Sequence, residues 1–209
     1  MTRIKICGIT RIEDGLAAAH AGADAIGLVF ANSPRRVTPQ QACAIAAALP
    51  PFITTVALFV NPAVDEVARV IETMRPHCLQ FHGEEPPEFC AGFGLPWLKA
   101  LRVRPGVDLL QSAALYAGAQ GLLLDAWSAA AHGGTGERFD WALIPPDLPL
   151  PVVLAGGLTP DNIAQAVHAV RPWAVDVSSG VEAAPGIKDA EKIAALIKEV
   201  KHADVAVTL

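Results

Sequence analysis

The 209-residue chain has no run of about 18 consecutive apolar residues, the length a membrane-spanning helix needs. No helical membrane span is therefore expected, although 52% of the residues are hydrophobic. A signal-peptide layout is missing too, because Arg3 and Lys5 sit inside a strand-like pattern and no long apolar region follows. Charge is scarce, at 18% of residues and a net −5, so no basic footprint points to nucleic acid. Low charge with a high apolar content also excludes a disordered chain. The four cysteines (Cys7, Cys43, Cys78 and Cys90) lie in or beside apolar segments and show no CxxC spacing. A disulfide framework and a structural metal are both unexpected on that pattern, and a reducing cytoplasm is the expected location. Finally, no G-x-G-x-x-G turn follows any strand-like segment, which argues against a dinucleotide-binding open sheet.

What the sequence does contain is a regular alternation. Strand-like segments occur at Arg3–Cys7, Ala25–Phe30, Thr54–Val60, Cys78–Phe81, Trp97–Leu101, Gly121–Asp125, Val152–Ala155 and Ala174–Val177. Several are almost wholly apolar, as strands covered on both faces must be. Helix signals fill the gaps. Thr10 and Glu13 are spaced as a capping box and Gly22 supplies a left-handed stop. Thr38, Pro39 and Gln41 form a second box, and Asn61-Pro62 and Thr159-Pro160 read as a cap followed by proline. The last helix presents Ala190, Ile193, Ala194, Ile197 and Val200 as one apolar stripe. Weaker helical patterns cover Val107–Tyr116 and Phe139–Leu143. Eight β/α units without a long linker predict one (β/α)8 TIM barrel over residues 1–209, with an open doubly wound sheet as the alternative.

In such a barrel the chemistry sits after the carboxyl ends of the strands. Those ends carry Cys7, the Asn32–Arg36 loop, Gln80 and His82, Arg102, Asp125, Gly156-Gly157 and Ser178-Ser179-Gly180. Cys7 shares a strand face with Lys5 and is either a small core hydrophobe or a reactive thiol. A free thiol titrates near 8.5, so a nearby cation such as Lys5 would be needed to enrich its thiolate at neutral pH. Asp125 ends an apolar strand, where an ionised carboxylate is costly without partners, and is a candidate proton donor. The glycines and serines after strands seven and eight suit a phosphate, since such loops bring backbone N–H groups close to an anion. Arg35 and Arg36 both offer a guanidinium for a carboxylate. His82 fits ligand contact or a structural hydrogen bond equally well. The His132–Gly136 segment reads as a glycine-rich cover for the site.

Taken in order, several motifs resemble the phosphoribosylanthranilate isomerase family of tryptophan biosynthesis. They are Lys5-Ile6-Cys7-Gly8-Ile9-Thr10, Gly22-Ala23-Asp24-Ala25-Ile26-Gly27, Ser33-Pro34-Arg35-Arg36 and Leu79-Gln80-Phe81-His82-Gly83. The series continues with Leu124-Asp125, Gly133-Gly134-Thr135-Gly136, Phe139-Asp140-Trp141, Leu154-Ala155-Gly156-Gly157-Leu158 and Val175 through Glu182. Ala155 stands where many relatives have serine. The resemblance implies a cofactor-free Amadori rearrangement of N-(5-phosphoribosyl)anthranilate to 1-(2-carboxyphenylamino)-1-deoxyribulose 5-phosphate. It implies Asp125 as general acid and Cys7 as general base. Arg36 would anchor the anthranilate carboxylate, and Gln80, His82, Gly156, Gly157, Ser178, Ser179 and Gly180 would bind the rest of the substrate. The expected partner is a phosphorylated small molecule, with the chain a monomer or homodimer and no metal, nucleic acid or membrane involved. Two rivals are a histidine-pathway aminoaldose isomerase, expected to use two carboxylates in place of a cysteine, and a non-catalytic phosphate-binding barrel.

Overall fold

A computed structural model describes residues 1–126 and 140–207. Eight parallel strands close into a barrel in sequence order. They are β1 (Arg3–Cys7), β2 (Ala25–Val29), β3 (Thr54–Phe59), β4 (Cys78–Phe81), β5 (Trp97–Val103), β6 (Gly121–Ala126), β7 (Val152–Leu154) and β8 (Ala174–Val177). The first strand pairs with both β2 and β8, with Cys7 opposite Gly27 and Lys5 opposite Asp176. These bounds match the alternating apolar segments to within two residues at every end.

Side chains alternate across each strand and fill two shells. Ala100, Leu123, Val153, Ala155 and Ala174 pack together inside the barrel. Ile4, Ile6, Ile26, Leu28, Phe59, Phe81 and Leu154 face outward into the helical layer. Phe30 stacks on Phe59 at 5.4 Å between ring centroids, and Phe59 on Phe81 at 6.1 Å. Burying each such large apolar side chain contributes roughly 1.5–3 kcal/mol. Small residues inside and large ones outside explain why the strands read as almost unbroken apolar runs.

The outer layer consists of α1 (Ile12–Ala21), α2 (Pro39–Ala48), α3 (Val64–Met74), α4 (Pro87–Ala91), α5 (Leu109–Leu115), α6 (Ile163–Val170) and α7 (Ala190–Val207). Between β6 and β7 the described residues hold only a short 3-10 turn, Trp141–Leu143. The predicted His132–Gly136 cover and Phe139 lie outside the described residues.

Capping was predicted unevenly. Thr38 and Gln41 do form a reciprocal capping box on α2, and Gly22 closes α1 in the left-handed conformation at φ 103°. Thr10 does not cap α1, because its hydroxyl donates to the Gly186 carbonyl instead and Arg11 occupies the cap position. Asn61 takes a positive φ of 47° and accepts from the Glu84 N–H, so α3 starts later, after Ala63. Thr159 donates its own N–H to Asn162, the residue at the N-terminus of α6. In each case a tertiary or turn partner outcompetes the local helix signal. The buried stripe of α7 is Ile193, Leu196, Ile197, Val200 and Ala203, while Ala190 and Ala194 are exposed. The sequence also gave no sign of a small antiparallel hairpin after β8, formed by β9 (Glu182–Ala184) and β10 (Ile187–Lys188).

Candidate active site

A cavity of about 290 Å³ opens at the carboxyl ends of the strands. Strand alternation turns Lys5 and Cys7 toward the barrel interior, and Cys7 is buried in the cavity wall. The neighbouring strand makes room for the sulfur by having no side chain at that level. A Cβ on Gly27 would lie 2.7 Å from Cys7 Sγ and 3.1 Å from Lys5 Cε. Below the thiol, Lys5 Nζ donates to Asp176 Oδ1 at 2.8 Å, and both side chains are buried. Burial pulls the Lys5 ammonium down, but Asp176 and then Cys7 outweigh it and hold it above the ordinary lysine range. Burial pushes the Cys7 thiol up, Lys5 opposes this and Asp176 reinforces it, leaving a net rise. The resting thiol is therefore protonated at neutral pH, beside a permanent cation.

Asp125, the last but one residue of β6, lines the same cavity. Its Oδ1 accepts from the Ala126 N–H at 2.9 Å and its Oδ2 stands 3.2 Å from His82 Nε2. That second contact is an ion-pair approach, not a hydrogen bond. His82 Nδ1 in turn lies 3.2 Å from Gln80 Nε2. The amide therefore braces the imidazole, and the imidazole faces the carboxylate. Gln80 is completely buried, does not line the cavity, and its Oε1 has no hydrogen-bond partner among the described residues. It reaches the site only through His82.

The predicted anion-binding loops converge at the other end. Gly156 and Gly157 follow β7 at φ 87° and 62°, and Asn162 Nδ2 donates to the Gly157 carbonyl at 2.8 Å. Ser178, Ser179 and Gly180 follow β8, entering a 3-10 turn, Ser179–Val181. Gly180 packs so tightly on the Leu158 carbonyl that any Cβ there would overlap it. All five residues line the cavity.

The two arginines separate. Arg35 lines the cavity, but its guanidinium is committed to Glu182, with Nε and Nη2 at 2.7 and 2.8 Å from the two carboxylate oxygens. Arg36 is not among the residues that line the cavity. It lies on the outer side of the loop, 60% exposed, 3.9 Å from Glu66. Cys7, His82, Asp125 and the two glycine-serine ends are thus brought together, whereas Gln80 and Arg36 are set back from the cavity surface.

The chain matches the family model described as N-(5'-phosphoribosyl)anthranilate (PRA) isomerase over residues 4–199. It belongs to that family. A relative of the same name from Pseudomonas putida (strain GB-1) is 59% identical over 202 residues, covering 96% of this chain and 98% of the relative. The crystal structure of phosphoribosyl anthranilate isomerase from Thermotoga maritima superposes with a TM-score of 0.89 at 42% identity, covering 97% of this chain and all of that one. A structure of the same enzyme in complex with reduced 1-(o-carboxyphenylamino)-1-deoxyribulose 5-phosphate gives a TM-score of 0.86 at 40% identity, again over 97% of this chain and all of that one.

Within this family frame, one part of the site was missed by sequence reasoning. Glu182 and Lys188 form a buried ion pair at 2.9 Å behind the Ser178 loop. Burial raises the Glu182 carboxyl, but the Arg35 hydrogen bonds and Lys188 override it and leave it below the ordinary carboxylate range. Glu182 appears in the last family motif without a role, and no spacing rule would have joined it to Arg35, 147 residues away. Among the described residues no group of three His, Cys, Asp or Glu side chains is placed to hold a metal ion, and no helix is long and apolar enough to cross a membrane.

Proposed function

We propose that this chain isomerises N-(5'-phosphoribosyl)anthranilate by an Amadori rearrangement, with Asp125 as general acid and Cys7 as general base. The observation that carries the reading is the placement of a thiol on β1 and a carboxyl on β6, three strands apart around the barrel, in the lining of one cavity that also includes two backbone-rich loops. The reaction needs a proton donor at the ribose ring oxygen and a proton acceptor at C2. Asp125 transfers its proton to the ring oxygen, the C1–O bond breaks, and the amine nitrogen's lone pair forms the protonated Schiff base. Cys7 releases its thiol proton to solvent and, as thiolate, removes the C2 proton; the C2–H electron pair neutralises the Schiff base to give the enolamine, which becomes the ketone as C1 gains a proton and the C2 hydroxyl loses one.

Timing resolves the difficulty of a raised thiol. Lys5 is already beside Cys7, and the cationic Schiff base adds a second positive charge only after ring opening. The thiolate is thus favoured at the stage where a base is required. The phosphate end is assigned to the backbone N–H groups around Gly156, Gly157, Ser178, Ser179 and Gly180, which line one end of the cavity. Arg36, loosely paired and exposed, is free to leave Glu66 for the anthranilate carboxylate at the mouth. His82, braced by Gln80, faces both the substrate and Asp125. We assign the activity to tryptophan biosynthesis in the cytoplasm, carried by one barrel domain over residues 1–209.

The test is loss of anthranilate-type fluorescence when the protein is added to the freshly formed substrate. A first-order decay that scales with protein concentration is expected. An unchanged signal, with tight binding of a phosphorylated ligand, would instead make the barrel a non-catalytic module.

A further inference from the structure

Lys188 does not line the cavity, yet it is a fully enclosed cation close behind it, with a side chain 0% exposed. Three acceptors hold its ammonium. They are Glu182 Oε1 at 2.9 Å, the Ser178 carbonyl at 3.0 Å and Ser178 Oγ at 3.4 Å. Its backbone N–H is fixed as well, donating to Asp14 Oδ2 at 3.1 Å. Glu182 also takes two of the three guanidinium nitrogens, Nε and Nη2, of Arg35, whose stem packs over Gly8, the residue after Cys7. A Cβ there would lie 2.5 Å from Arg35 Cδ and 3.1 Å from Ser178 Oγ. One buried carboxylate thereby joins the loops after β1, β2 and β8 through two cations.

The Ser178 carbonyl matters because of peptide geometry. A trans peptide is planar, with its C=O and N–H pointing in opposite directions. Lys188 draws the Ser178 oxygen away from the cavity at 3.0 Å, beside a longer 3.4 Å bond from the Val181 N–H, so the N–H of Ser179 in the same plane is turned toward it. Without Lys188 the carbonyl keeps only that longer bond, and a rotation inward would present an acceptor to an anion, which repels it. We propose that Lys188 is a positioning residue of the phosphate site, orienting the Ser178–Ser179 peptide so that an N–H and not a carbonyl meets the substrate phosphate. The inference rests on the phosphate reading of these loops given above.

The effect falls chiefly on binding. Lys5 is the larger cationic influence on Cys7, with Lys188 secondary, so loss of Lys188 leaves most of the charge beside the thiol in place. The decisive experiment measures the competitive inhibition constant of inorganic phosphate, together with KM and kcat, for the full chain and for Lys188→Met. The expected result is phosphate inhibition weakened and KM raised by about tenfold, with kcat held within about threefold, the pattern of a lost binding interaction. A merely structural role would lower kcat as well. Because Lys188→Met leaves Glu182 with Arg35 as its one remaining cation, a second variant, Lys188→Met/Glu182→Gln, removes the carboxylate charge as well and keeps an amide oxygen as acceptor for the Arg35 guanidinium. It is expected to lose phosphate affinity to the same degree. If inorganic phosphate inhibits the wild type and both variants equally, the inference is overturned and the phosphate site stands. If phosphate does not compete in the wild type at all, the phosphate reading falls, and the inference with it.

Discussion

Lys5 Nζ and Asp176 Oδ1 are 2.8 Å apart at the floor of the cavity, on adjacent strands, with Cys7 two residues beyond Lys5 on the same inward face. The pair thus lies within electrostatic reach of the thiol. Its two members act on Cys7 with opposite sign, the cation favouring the thiolate and the carboxylate opposing it. Asp176→Asn should therefore make Cys7 easier to ionise. Alkylation of Cys7 by iodoacetamide at pH 7, mapped by mass spectrometry, is expected to run faster in the variant. The same change strands a buried ammonium, and a loss of about 3–5 kcal/mol is expected in urea denaturation. Slower alkylation in the folded variant would contradict this account of the pair.

Two structural thiols make an alkaline prediction. Burial lifts Cys78 and Cys90 from an ordinary 9.0 to about 11. A raised folded pKa means that the native state keeps a proton the unfolded chain has released. The contribution is complete below pH 9 and declines as pH rises from 9 toward 11. Lys5, held above its ordinary value, acts in the same direction at still higher pH. The denaturation midpoint is expected to fall between pH 8.5 and about 10.5, and to fall less in Cys78→Ala/Cys90→Ala. An equal fall in that variant would show that these thiols are not responsible.

Arg35 and Arg36 should behave differently on substitution. Arg36→Met removes a 60% exposed side chain. Stability should stay within about 0.5 kcal/mol, as is usual at surface positions. KM should nevertheless rise roughly tenfold or more, since charged hydrogen bonds contribute about 1.5–3 kcal/mol. Arg35→Met leaves Glu182 without its bidentate partner and should lower thermal stability as well. Steady-state kinetics beside thermal melting separates the two. An unchanged KM in Arg36→Met would remove Arg36 from substrate binding.

Gln80→Leu offers the reverse combination. The amide oxygen has no partner among the described residues, so an apolar side chain of similar size should cost the fold only the one Nε2–His82 contact, about 1 kcal/mol. The imidazole of His82 loses its brace, however, and turnover should drop while KM changes little. A variant that is less stable but fully active would reverse the assignment.

The barrel was legible because its signal is repeated. Eight apolar segments at regular spacing mark strands covered on both faces, and each covered strand has little choice of register. Cys7, Asp125, Gly156 and Ser178 were legible for the same reason, since strand ends become the mouth once the barrel is accepted. What the sequence concealed is contact between distant residues. Thr10 carries a capping signal that Gly186 claims, and Asn61 is taken by Glu84. Glu182 and Lys188 meet only because a short hairpin folds back beneath the Ser178 loop. Gln80 has a face shared with His82, but nothing in its neighbours told a buried brace from a ligand contact.

The central claim is that Cys7 and Asp125 divide the proton transfers of one isomerisation. Single-turnover and steady-state rates of Cys7→Ser and Asp125→Asn, with folding checked by thermal melting, test it most directly. Each variant is expected to lose at least the ~100-fold that a positioned acid or base supplies, while substrate or inorganic phosphate still binds. Folded variants that turn over at near wild-type rates would contradict it.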